Sequence, residues 1–91
     1  MSRKQKVVND EHYTIAYVYG DNHLKRDATH YHTARSAKLQ AKRRFAFSKL
    51  NGRDRAARII GIFIEHVDDV NHFAKFVSRF DVETETWESY L

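Results

Sequence analysis

Residues 70–80, VNHFAKFVSRF, are the stretch on which the fold class turns. Val70, Phe73, Ala74, Val77 and Phe80 recur at intervals of three and four, which predicts one apolar side of a helix. Asp68 or Asp69 stands just ahead as a cap, with a negative charge suited to the positive helix end. Before it, residues 57–65, ARIIGIFIE, are apolar on alternating sides and predict a central strand. Ile60, Ile62 and Ile64 share one face of that strand, and Ile59 and Phe63 share the other. Gly61 is expected to admit a helix backbone at close range.

Further back, a helix is expected from position 33 or 34 to position 50, with Thr33 as its cap and Asn51-Gly52 as its stop. Ala34, Ala37, Ala41 and Phe45 form a narrow side that can lie close to a sheet. Leu39, Ala46, Phe47 and Leu50 line roughly the opposite side, so this helix wants a second partner. The second helix and a second copy of the chain are the two candidates. Residues 11–19, EHYTIAYVY, predict a first strand, with Tyr13, Ile15, Tyr17 and Tyr19 on one face. Residues 23–32 read either as a returning strand or as a loop. The last residues, 81–91, read as an acidic tail or an edge strand, anchored by Trp87, Tyr90 and Leu91.

The expected fold is therefore α+β: a small single-domain sheet of 2–4 strands covered by two helices, in the order β-(β)-α-β-α-(β). The chain divides into a basic arm at 1–10, a domain at 11–80 and the acidic end at 81–91. A strand–helix–strand unit predicts a parallel pair with a right-handed crossover, if the two strands are neighbours. At 91 residues the core is small, and a homodimer would add burial.

Charge is sorted along the chain. Positions 1–58 hold fourteen Lys/Arg against five Asp/Glu; positions 59–91 hold two against seven. A concentrated basic surface attracts polyanions, because each neutralised phosphate releases counterions. The nucleic-acid-binding candidates are Arg35, Lys38, Lys42, Arg43, Arg44 and Lys49 on the helix, then Arg53, Arg55 and Arg58. The acidic end can fold back on that helix and compete for its cations. Tyr13, Tyr17 and Tyr19 offer stacking surface for unpaired bases, but the simpler expectation is a face on which the helix packs.

Six histidines and several carboxylates invite a search for metal chemistry. His30-Tyr31-His32 on a strand would project both rings from one side. This triplet resembles that of HUH-type nicking endonucleases, over these three residues alone. That family pairs its triplet with a tyrosine nucleophile on a following helix, and residues 34–50 contain no tyrosine. Glu65, His66, Asp68, Asp69 and His72 form a second cluster, with Glu65 and Asp68 as candidate Mg²⁺ ligands. The expectation at Asp68 and Asp69 is helix capping instead. With no cysteine, disulfides and thiolate metal sites are excluded.

No cofactor and no metal are therefore expected, and no apolar run approaches a membrane span. The expected protein is a cytoplasmic, non-enzymatic binding module for nucleic acid or a nucleoprotein complex. The alternatives are a phage- or plasmid-type module that binds or inhibits a host or defence enzyme, and a small metal-dependent nuclease.

Overall fold

A computed structural model describes residues 11–51 and 58–90. The expected basic arm, Arg53 and Arg55 lie outside the described residues. Six elements follow one another: β1 (Glu11–Tyr19), β2 (Leu24–Arg26), α1 (Ala34–Asn51), β3 (Ile59–Asp68), β4 (Phe73–Asp81) and β5 (Thr86–Ser89). The five strands form one sheet in the order β2-β1-β3-β4-β5, and every neighbouring pair is antiparallel. α1 lies across β1 and β3.

This overturns the expected two helices on a sheet of 2–4 strands. Residues 70–80 do not form a helix: they supply a turn and most of β4. The reason is a β-bulge. Ile64 pairs with Ser78 but Glu65 pairs with Phe76, so Val77 is the extra residue. A bulge shifts the two-residue alternation by one position. Val77 and Phe80, three apart, therefore both reach the core and imitate helical spacing. Phe73 and Phe76 stay exposed.

The expected parallel neighbours are also corrected. β2 and β3 do run parallel, but β1 lies between them and pairs antiparallel with both. A second irregularity, between Val18 and Tyr19, shifts the start of β3. As a result Ile59 is buried with Ile62 and Ile64, while Ile60, expected on their face, is exposed. Gly61 does not face the helix: a Cβ built there would meet Val18 at 3.6 Å and then Phe63.

One core lies between α1 and the sheet. Ile15 and Tyr17 of β1, Ile62 and Ile64 of β3, and Val77 and Phe80 of β4 meet Ala37, Ala41 and Phe45 of α1. Ala37 and Ala41 are completely buried, which brings the helix close to the strands. Each buried Ile or Phe contributes roughly 1.5–3 kcal/mol relative to exposure. Thr33 caps the helix by accepting the Ser36 N–H at 3.1 Å. The other side of the sheet is polar and aromatic, with no helix over it among the described residues. There Glu65 accepts from Thr14 and Arg26, Arg79 pairs with Glu88, and Phe63 packs on Phe76. Antiparallel sheets tolerate such a solvated face.

Candidate nucleic-acid interface

The helix cations fall into three groups by what lies beside each of them. Arg35, Lys42 and Arg43 are exposed on the side away from the sheet. No carboxylate among the described residues lies within ion-pair distance of them. Leu39 and Leu50 share this outward side, and Leu50 is 85% exposed. Phe47 is exposed beside them.

A second group leans over the β4–β5 edge. Lys38 is half-buried, with its ammonium 5.5 Å from the centre of the Trp87 ring. Lys49 donates to Glu85 at 2.9 Å and lies over Phe45. Part of the acidic end thus occupies one of the expected phosphate-binding side chains. Arg44 alone leans the other way, toward β2, with its guanidinium 5.7 Å from the Tyr17 ring centre. The six helix cations expected to act together are therefore divided between an outer side and two flanks. Arg58, just before β3, is exposed. Arg53 and Arg55 lie outside the described residues.

Most acidic side chains on the described strands and turns are engaged. Asp68 accepts from the backbone N–H groups of Val70 and Asn71 and from the Asn71 amide at 2.7 Å. These donors hold its carboxyl below the usual carboxylate range, the Asn71 side chain most strongly. The capping chemistry expected at Asp68 is present, but it closes a hairpin rather than starting a helix. Asp81 does the same for the β4–β5 turn by accepting from Glu83 at 2.9 Å. In the β1–β2 turn, Asp21 accepts from the His23 backbone, which lowers its carboxyl too.

The proposed metal clusters do not assemble. His30 stacks on His12 with ring centres 3.9 Å apart, while His32 is exposed. His66 pairs with Glu11, Glu65 with Arg26, and Asp68 closes its turn. Among the described residues no three His, Asp or Glu side chains converge as a metal site. No helix among them is long and apolar enough to cross a membrane. The chain has no match among protein-family models, curated proteins or solved structures.

The tyrosine face is the helix-packing face. Tyr17 is 2% exposed, and Tyr13, Tyr19 and Tyr31 pack against the same core. What sequence reasoning missed is a cleft at the end of this row, between α1 and the β1–β2 edge. It is lined by Tyr17, Tyr19, Lys25, Arg26, Asp27, Ala28 and Arg44, with a volume of about 280 Å³. The signal available in sequence was Lys25-Arg26 within the 23–32 segment, and nothing there placed Arg44 opposite.

Proposed function

We propose that this protein is a binding module that holds nucleic acid electrostatically through the outward side of α1. One observation carries the reading. Arg35, Lys42 and Arg43 stand exposed on one helix with no carboxylate of the described residues beside them. Arg43 lies eight positions beyond Arg35 on the helix, so these charges span roughly 12 Å along its axis. Arg and Lys at that density contact phosphate and contribute orientation more than base readout. Lys38, Arg44 and Arg58 extend the basic surface, and Lys49 joins it whenever Glu85 releases it.

The test is binding of short duplex and single-stranded oligonucleotides at several salt concentrations. The logarithm of affinity should fall linearly with the logarithm of salt, by roughly 0.7–0.9 per phosphate contacted. Lys42→Glu with Arg43→Glu should abolish binding in about 0.1 M salt, where repulsion replaces attraction. Unaltered affinity in that double variant would end the proposal.

Leu39 and Leu50 favour a second reading, a protein partner whose surface is both acidic and apolar. Leu39→Ser with Leu50→Ser would then weaken partner binding while sparing oligonucleotide binding. A phage- or plasmid-type inhibitor belongs to this second reading.

A further inference from the structure

We propose that the cleft between α1 and the β1–β2 edge binds a phosphate monoester, with the Tyr17 hydroxyl as donor and Arg44 and Lys25 as counter-charges. The inference rests on the polyanion-binding reading only for the source of the phosphate, a nucleic-acid end.

Three observations converge on the cleft. First, the Tyr17 hydroxyl is buried and has no hydrogen-bond partner among the described residues. An unpaired buried hydroxyl is costly, and buried polar groups in folded proteins are nearly always paired. Tyr17 lines the cleft, so the missing acceptor has a place to enter. Second, two elements bring cations to the cleft. Arg44 of α1 lies over the Tyr17 ring, and Lys25 comes from β2. No carboxylate among the described residues lies within ion-pair distance of either. Third, the remaining charges there are already engaged. Arg26 is bonded to Glu65 at 3.2 Å. Asp27 accepts the Thr29 N–H at 3.1 Å with one oxygen and the Tyr31 hydroxyl at 3.0 Å with the other.

Burial pushes the Tyr17 phenol well above its ordinary value, with Arg44 opposing the shift and the Asp27 carboxylate adding to it. The group therefore keeps its proton through neutral pH and serves as a donor to an anion. A phosphate monoester carries nearly two negative charges and three strong acceptor oxygens. It matches one hydroxyl donor and two cations better than a singly charged internal phosphodiester does. At about 280 Å³ the cleft also has room for the sugar behind a terminal phosphate.

The experiment uses the full chain in phosphate-free buffer. One oligonucleotide is compared with a 5′-phosphate and with a 5′-hydroxyl, and inorganic phosphate is titrated separately. The phosphorylated oligonucleotide should bind about tenfold tighter, as expected for a hydrogen bond to a charged group plus ion pairing. Tyr17→Phe, which keeps the ring and the packing, should remove that preference and leave binding of the 5′-hydroxyl oligonucleotide unchanged. Lys25→Gln gives a second reading at an exposed position that does not depend on the core. Inorganic phosphate that binds the wild type but not Tyr17→Phe, with no preference between the oligonucleotides, supports the site and assigns it to free phosphate. A full phosphate preference retained in both variants, or no response to either phosphate source, overturns the proposal. Loss of all salt-dependent binding to the 5′-hydroxyl oligonucleotide would instead strike the α1 reading and leave the phosphate titration to decide the cleft.

Discussion

The two flanks of α1 carry similar charge and meet different ends. On the β5 flank, Phe45, Phe80 and Trp87 pack ring against ring, Lys38 lies over Trp87, and Lys49 is bonded to Glu85. On that side both cations already have partners in the protein, and only in this sense is the flank closed. On the β2 flank, Arg44 lies over Tyr17, Lys25 lines the same cleft, and the buried Tyr17 hydroxyl has no hydrogen-bond partner among the described residues. A cation's role here follows from what the sheet places beside it. On the closed flank the cations are taken up by the protein's own groups; on the open flank Arg44 and Lys25 have no carboxylate of the described residues within ion-pair distance.

The comparison breaks most heavily at Phe80. Phe80→Ala should cost about 3–5 kcal/mol, since it empties a site packed by Phe45 and Trp87. Urea unfolding would show it, with β5 loosened and Lys38 and Lys49 released. On the open flank the matching substitution has the opposite sign. Tyr17→Phe should raise stability by about 1 kcal/mol in phosphate-free buffer, because it removes a buried unpaired hydroxyl without changing the ring.

A smaller effect comes from opening the closed flank by one charge. Glu85→Gln should lower stability by roughly 0.2–1 kcal/mol, the range for an exposed ion pair. It should also free Lys49 and steepen the salt dependence of oligonucleotide binding by up to about 0.9, which binding measured at several salt concentrations would show. The smallest effect is a control that touches neither flank. Asp68 is held below the ordinary carboxylate value, so its contribution is complete above a pH of about 4 and is lost as pH falls through the lowered value. Asp68→Asn keeps an acceptor oxygen but removes the titration. Its melting temperature should therefore change less between neutral and acidic pH than that of the wild type.

The turns explain why the strand count was hard to read. Each of the three hairpin turns pairs an aspartate acceptor with a non-glycine residue of positive φ: Asp21 with Asn22, Asp68 with His72, and Asp81 with Glu85. His and Glu are poor advertisements for a turn, and no proline marks any of them. Without that punctuation, a bulged strand at Phe73–Asp81 showed the spacing of a helix. α1 was legible because its signals are local. Thr33 caps it, and Ala37, Ala41 and Phe45 repeat along one side.

By itself, the sequence determined the first strand, the central strand, the helix with its buried alanine side, and the basic character of the chain before Ile59. These depend on residues close to one another, where periodicity and capping act directly. Only the tertiary structure decided that β4 is a strand, which cations are neutralised, and that Arg44, Lys25 and Tyr17 surround one cleft. Those outcomes depend on strand register and on contacts between distant segments, and a single bulged residue is enough to turn a side chain from one face to the other.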